Sequence, residues 1–359
     1  MGPSIVRFYG SFGSKSPILW RLLSGCAVLM FITLGLVILG VAVGPVGIPF
    51  WQSFTMLLEL IGLGQSSATR TEGIIIESIR LPRIALSLVV GGALGGAGAA
   101  MQGLFRNHMA DPGIIGVSAG GVLGAVVVIA VGAESASALS LPMAAFGGAV
   151  VAAFVVYGIG SVGGGLSVAA LLLSGVAISS FLGAITSAVL YFTVDTNVQR
   201  EIIFWLAGGL DGSTWSDVQI SFPTVAIGLG IILFLARDLN LLALGDDEAA
   251  SLGVRVGRVR TFLIVGAALS TGSAVAFSGT IIFVGLIVPH MVRLVLGADH
   301  RVLIPLSALS GAAFLLLADT TARVVAAPAE LRVGIVTAFI GAPFFIFLLI
   351  KNKVHVGSI

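Results

Sequence analysis

A run of sixty consecutive residues, from position 135 to position 194, contains no charged side chain. As a single helix this run would extend about 90 Å at roughly 1.5 Å per residue, whereas the apolar core of a bilayer is about 30 Å thick. The glycine cluster between Gly158 and Gly165 favours a turn within the run, because glycine destabilises a helix interior. The run therefore predicts two membrane-spanning helices joined by a glycine-rich connection.

The composition of the whole chain supports a membrane environment. Only 9% of the 359 residues are charged and 57% are hydrophobic, whereas a soluble domain carries about 25% charged residues. We therefore expect one transmembrane domain over residues 1–359, with the helical bundle at 22–350 in the lipid bilayer. The net charge of +2 gives no reason to expect a nucleic-acid partner.

Ten apolar runs are candidates for spans, and one stretch needs a further argument. Residues 261–292 are uncharged, which is long for one span and short for two. A break near Ser278 and Gly279 places twelve Lys and Arg residues in the cytoplasm and six outside, and without it the division is ten and eight. Because cytoplasmic loops carry the excess of positive charge, ten spans are favoured. They are residues 24–43, 82–104, 114–132, 141–159, 168–192, 218–236, 261–277, 280–296, 303–326 and 334–350.

The sequence thus predicts an all-α polytopic membrane protein with both termini in the cytoplasm. The cytoplasmic connection at 237–260 contains a short helix, since Asp246 suits an N-cap, acidic residues fill the first turn and Gly253 can end the helix. Such a helix either rests against its own bundle or is presented to a cytoplasmic partner.

Several motifs occur together in a characteristic order. They are Arg-Leu-Pro-Arg at 80–83, Asp-Pro-Gly at 111–113, Phe-Val-Gly-Leu-Ile-Val-Pro-His at 283–290, Leu-Ala-Asp at 317–319, Pro-Ala-Glu-Leu at 328–331 and Gly-Ala-Pro-Phe-Phe at 341–345. In these motifs the chain resembles, over about residues 78–350, the FecCD-type permease subunits of type II ABC importers. Members of that family import iron siderophores, haem and vitamin B12.

The resemblance implies a location in the bacterial cytoplasmic (inner) membrane and a set of partners. It predicts a homodimer of ten-helix subunits, with two cytoplasmic ATPase subunits on one side and an external substrate-binding protein on the other. ATP and magnesium would bind to the ATPase subunits, so no cofactor, metal ion or catalytic residue is expected in this chain. The 359 residues contain no GxxxxGK[ST] phosphate-binding loop, which agrees with a separate ATPase.

The resemblance also implies candidate sites. Coupling to the ATPase is expected at Asp246, Asp247, Glu248, Ala249, Ala250, Leu252 and Gly253. Docking of the binding protein is expected at Arg80, Arg83 and Arg323, because guanidinium groups pair bidentately with carboxylates. Arg332 stands where the family usually has proline, and we expect it to extend the docking patch or to meet an anionic ligand. A cytoplasmic gate is expected at Leu166 and Ser167.

Alternative functions remain open from the sequence. The expected cargo is a ferric siderophore or haem, with cobalamin as the alternative. An ion-coupled secondary transporter would need carboxylates within its spans, and Asp319 alone fits that requirement. A membrane enzyme would need His, Asp or Glu side chains clustered at one depth, and no such cluster is visible in the sequence.

Overall fold

The computed structural model describes residues 18–44, 46–60, 62–63, 69–162, 166–327 and 329–356. Within these ranges all regular elements are helices. They are α1 (Ile18–Ala42), α2 (Phe50–Leu60), α3 (Arg70–Leu104), α4 (Val117–Ala130), α5 (Ser140–Gly160), α6 (Val168–Phe192), α7 (Thr196–Leu206), α8 (Trp215–Phe234), α9 (Ala236–Leu242), α10 (Asp246–Ser251), α11 (Val256–Ser278), α12 (Val284–Leu296), α13 (His300–Val325) and α14 (Val333–Val356).

The helices account for each predicted span. Among the described residues, seven helices are long and apolar enough to cross a membrane, namely α1, α3, α5, α6, α8, α11 and α13. Three shorter apolar helices, Val117–Ala130, Val284–Leu296 and Val333–Phe347, coincide with the remaining predicted spans. The all-α, ten-span fold is therefore confirmed. The predicted cytoplasmic N-terminus falls in residues 1–17, outside the described part of the chain.

Both predicted breaks occur. Helix α5 ends at Gly160 and α6 begins at Val168, while residues 163–165 of the glycine cluster lie outside the described ranges. Helix α11 ends at Ser278, and the chain reverses through Gly279 and Phe283, which have φ values of +64° and +71°. Because glycine adopts positive φ without a steric penalty, Gly279 suits the start of this reversal.

Helix α3 lies at the centre of the bundle, and its side chains from Leu94 to Leu104 are all buried. Small residues allow α13 to approach it closely, since a Cβ atom at Gly91 would overlap the carbonyl oxygen of Gly311. Helices α8, α11 and α12 also pack against α3, whereas α4 and α5 pack against each other and against α11. Helix α6 packs on α4 and α5 and leaves most of its surface exposed.

The connections meet at two opposite ends of the bundle. At one end, Arg106 after α3 contacts Asp246 of α10, and Asn240 of α9 contacts Asp299 before α13. At the other end, Trp215 of α8 donates to the backbone of Glu77, and Arg332 before α14 pairs with Asp211. This arrangement separates the candidate coupling residues from the candidate docking residues, as the ten-span topology predicts.

Candidate functional site

The outer end contains a buried cluster of charges around Asp319. This carboxylate, on α13, is fully buried and accepts hydrogen bonds from Nε and Nη2 of Arg83 at 2.9–3.1 Å. It also pairs with Arg323, four residues later on the same helix. Arg83 uses its Nη1 to contact Glu330 at 2.6 Å. One aspartate therefore pairs with two buried guanidinium groups, and Glu330 is a second counter-charge for Arg83 alone.

Arg80 is held in a different way. It lies in the π-helical turn Ile75–Arg80 of α3, and its guanidinium donates to the carbonyl oxygens of Val41, Ala42 and Val46. These acceptors lie at and beyond the end of α1, where backbone carbonyls lack partners within the helix. Arg80 thus caps α1 and joins it to α3.

The burial of these arginines differs from the sequence-based interpretation. Docking of a binding protein at Arg80, Arg83 and Arg323 requires them to be accessible, but these residues are only 2–8% exposed. The sequence reasoning missed their internal partners. The spacing of Asp319 and Arg323 was an available signal for one pair, because residues four apart share a helix face. Nothing in the sequence indicated the contact between Arg83 and Asp319, which are 236 residues apart. The docking role of the arginines stays a prediction.

Arg332 lies at the same outer end of the bundle but makes a separate set of contacts. Its guanidinium pairs with Asp211 and stacks over the ring of Phe204 at 5.0 Å from the centroid. Phe204 belongs to α7 and Asp211 to the following connection, so Arg332 links this part of the chain to the start of α14. Arg332 is more exposed than the three buried arginines.

At the cytoplasmic end, α10 presents most of its surface outward. Ala249 is buried and fixes the helix on the bundle, while Asp247, Glu248 and Ala250 are exposed. Two leucines beside the helix, Leu244 and Leu252, are 64% and 60% exposed. Gly245, rather than Asp246, is the N-cap. The predicted short helix is therefore present, and it offers acidic and apolar side chains to the exterior.

Asp246 is the polar centre of this end. Its carboxylate accepts from Nη2 of Arg106 at 2.6 Å and from Nη2 of Arg260 at 2.7 and 2.8 Å. Arg260, in the second turn of α11, also donates from Nη1 to the carbonyl oxygen of Leu166 at 2.8 Å. These residues line a cavity of about 970 Å³ together with Ser167 and Val168. Sequence reasoning named Asp246 and Leu166 separately and missed both arginines.

The two candidate gate residues stand immediately before α6. Ser167 is its N-cap, and the hydroxyl oxygen accepts from the amide of Ala170 at 3.4 Å. The amide of Ser167 donates to the carbonyl oxygen of Gly160 at 3.3 Å, so the ends of α5 and α6 lie close together. The gate role of Leu166 and Ser167 stays a prediction.

Two of the histidines lie close together. His108 and His290 are in edge contact, with ring centroids 6.3 Å apart. Burial, and then the positive charge of Arg293, lower the pKa of His108. Within the described residues, no group of three or more His, Cys, Asp or Glu side chains is arranged to hold a metal ion.

Comparison with known proteins identifies the family. The sequence matches the FecCD transport family over residues 30–351. The chain belongs to the FecCD transport family. It is a multi-pass protein of the cytoplasmic membrane and a transport component rather than a catalytic one.

Individual relatives cover most of the chain. The cobalamin import system permease protein BtuC of Halobacterium salinarum is 48% identical over 292 residues, which are 81% of this chain and 77% of that protein. The hemin transport system permease protein HmuU of Yersinia pestis is 42% identical over 77% of this chain and 83% of its own length. The ferric enterobactin permease FepD of Escherichia coli is 43% identical over 79% of this chain and 84% of its own length.

A solved structure shares the fold. It is an inward-facing conformation of a metal-chelate type ABC transporter, with a TM-score of 0.77 and 32% sequence identity. The match covers 90% of this chain and 99% of the solved chain.

Proposed function

We propose that the chain is the permease subunit of an ATP-driven importer that passes an iron complex across the cytoplasmic membrane. The family match over residues 30–351 carries this proposal. A separate cytoplasmic ATPase supplies the energy and holds ATP and magnesium. The exposed side chains of α10 support this division of labour, because acidic and apolar groups together form a surface suited to a protein partner.

Co-purification tests the ATPase partner. The chain is co-expressed with its ATPase subunit, and the amount of ATPase retained by the tagged permease is measured. We expect Leu252→Glu to remove most of the ATPase, because it places a charge where an apolar side chain is available for contact. Leu63→Glu is the matched control, since Leu63 is also exposed but lies at the outer end of the bundle. Equal retention by wild type and Leu252→Glu contradicts the assignment of α10.

An external binding protein is proposed to dock at the opposite end. Of the four arginines predicted to dock the binding protein, Arg332 is the most exposed, although it pairs with Asp211. Arg80, Arg83 and Arg323 are buried and engaged by carbonyl and carboxylate groups of this chain. Docking through the buried arginines thus requires carboxylates of the binding protein to compete with Asp319 and Glu330. The test variant is Arg332→Pro, which introduces the proline usual in the family at this position. The affinity of the binding protein for this variant is measured. If both the affinity and the uptake are unchanged in this variant, Arg332 is not part of the docking patch.

The homodimer is also a proposal, and α6 supports it. The exposed face of α6 carries small side chains at spacings of four residues, namely Ser180, Ala184 and Ala188 beside Gly183 and Ser187. Small residues at such spacings allow two membrane helices to pack closely. A second copy of the chain is the partner that the family implies.

Two classes of cargo have specific support. The relatives that carry hemin and ferric enterobactin favour an iron complex, and the 48% identical cobalamin permease favours a corrinoid. Uptake of ⁵⁵Fe-siderophore, haem and ⁵⁷Co-cobalamin is measured in proteoliposomes with ATPase and binding protein present. If cobalamin is the only one of the three that accumulates in an ATP-dependent way, the cargo is a corrinoid and not an iron complex.

An ion-coupled mechanism is disfavoured. Asp319 pairs with both Arg83 and Arg323 in this conformation, so this carboxylate is not free to load and release a proton or a metal ion.

A further inference from the structure

We propose that Arg260 transmits movement of α10 to the beginning of α6, and that it is the residue through which ATP binding reaches the membrane-spanning helices. The inference rests on the proposed function, since it requires α10 to contact an ATPase. It concerns a positioning residue that contacts neither cargo nor nucleotide.

The geometry of Arg260 carries the argument. One nitrogen, Nη2, contacts both carboxylate oxygens of Asp246, and the other, Nη1, contacts the carbonyl oxygen of Leu166. Arg260 is only 8% exposed although both of its partners belong to other segments of the chain. The planar guanidinium fixes the angle between Nη1 and Nη2, so a displacement of Asp246 that moves the guanidinium also moves the hydrogen bond to Leu166.

The two ends of this connection differ in how firmly they are held. Leu166 immediately precedes Ser167, the N-cap of α6, so a force on its carbonyl group acts on the first turn of that helix. Within one subunit, only 17% of the most apolar 18-residue stretch of α6 is buried, compared with 72% in α11. Since α6 makes few contacts within its own subunit, it can shift relative to α11 while it keeps its proposed contact with the second copy.

Arg106 provides an internal comparison. It pairs with the same carboxylate of Asp246 but makes no contact with Leu166 among the hydrogen bonds of the described residues. If Asp246 needs only a counter-charge, removal of either arginine should have the same effect on the movement of α6. If the connection to α6 matters, removal of Arg260 and removal of Arg106 have different effects.

Electron–electron distance measurements on spin labels test the proposal. Labels are attached at Ala169→Cys, on α6, and at Ala298→Cys, in the connection before α13, with Cys26 replaced by serine. Both alanines are exposed. The full complex with the ATPase subunit is measured in lipid nanodiscs without nucleotide and with magnesium and a non-hydrolysable ATP analogue. We expect the analogue to shift the label–label distance by about 2 Å or more, the scale of helix displacements in switching proteins.

The variants decide the outcome. Arg260→Gln is expected to abolish the shift while the ATPase still co-purifies and hydrolyses ATP, and Arg106→Gln is expected to preserve it. Arg260→Lys keeps the positive charge but has one nitrogen in place of two that point in different directions, so we expect it to lose more than half of the shift. An unchanged shift in Arg260→Gln overturns the proposal, as does the absence of a shift in the complex with native Arg260.

Failure of the underlying function gives a different result. If α10 does not contact an ATPase, Leu252→Glu retains as much ATPase as the native chain, before any label is introduced. If Arg260→Gln does not fold, Arg260→Lys provides the second test, because it keeps the charge and the apolar stem but cannot contact Asp246 and Leu166 with two separate nitrogens. Loss of more than half of the shift in Arg260→Lys supports the proposal, and an unchanged shift overturns it.

Discussion

At the scale of single residues, Asp319 is the most consequential side chain at the outer end. It is fully buried and provides the negative charge for Arg83 and Arg323 at once. Burial of a charge is costly unless the charge is paired, and loss of one partner leaves the others uncompensated. Glu330 adds a second carboxylate beside Arg83, but it is 30% exposed and therefore partly hydrated.

Asp319→Asn is expected to lower the free energy of unfolding by about 3–5 kcal/mol, the range for breaking a buried ion pair. Denaturant titration of the purified protein in detergent micelles measures this change. Glu330→Gln is the control and is expected to cost less, since water screens its pairing with Arg83. Equal effects of the two substitutions show that Asp319 has no special role in holding the arginines.

At the scale of elements, close contact between α3 and α13 depends on the absence of side chains. A Cβ atom at Gly91 would overlap the backbone of Gly311, and one at Gly95 would overlap the carbonyl oxygen of Ser307. Neither neighbour can move aside, because each atom belongs to a helix backbone. The glycines of α3 therefore set the distance between two central helices rather than permit a turn.

Gly91→Ala is expected to destabilise the protein by about 1–3 kcal/mol, the cost of overpacking a well-filled core. Gly230→Ala, the same substitution in α8, should have the opposite sign. A Cβ atom there meets no other atom within 4 Å, and alanine favours a helix by about 1 kcal/mol over glycine. Denaturant titration of both variants checks the difference, and a stable Gly91→Ala variant shows that α3 and α13 can separate.

The same elements show how much the sequence could predict. Hydropathy, charge asymmetry and glycine clusters predicted all ten spans, including the break after Ser278, because lipid imposes helical structure on apolar runs. Capping and charge signals between Asp246 and Gly253 predicted the short helix, which the structure has at Asp246–Ser251. The partners of Arg83 and Arg260 were not predictable, since long-range pairs depend on how helices pack and leave no periodic signal.

At the scale of the whole molecule, one subunit leaves a large apolar surface uncovered. Lipid covers most such surfaces, but the small side chains on α6 offer little area to lipid and suit close helix packing instead. The proposed dimer uses this face, and the cytoplasmic start of the same helix contacts Arg260 through Leu166.

Gly183→Leu is expected to separate the proposed homodimer without unfolding the subunit. A Cβ atom at Gly183 meets nothing within 4 Å in the single chain, so the new side chain clashes only with a second copy. Gly147→Leu on α5 is the matched control, since its Cβ position is equally open. Mass photometry in detergent should show monomers for Gly183→Leu and dimers for Gly147→Leu. Dimers in both variants place the interface elsewhere.

The shortness of α12 has a consequence for the lipid around it. Its 13 residues extend about 20 Å, whereas the hydrocarbon layer is about 30 Å thick. The non-helical residues 279–283 complete the crossing. The turn at 205–209 and the start of α14 cover their backbone, since Gly208 and Gly334 both lie against the carbonyl oxygen of Thr280. Irregular backbone at this depth is sheltered by protein rather than by hydrocarbon. Acyl chains next to the shorter helices must therefore adapt to an uneven hydrophobic belt, which makes the protein sensitive to bilayer thickness.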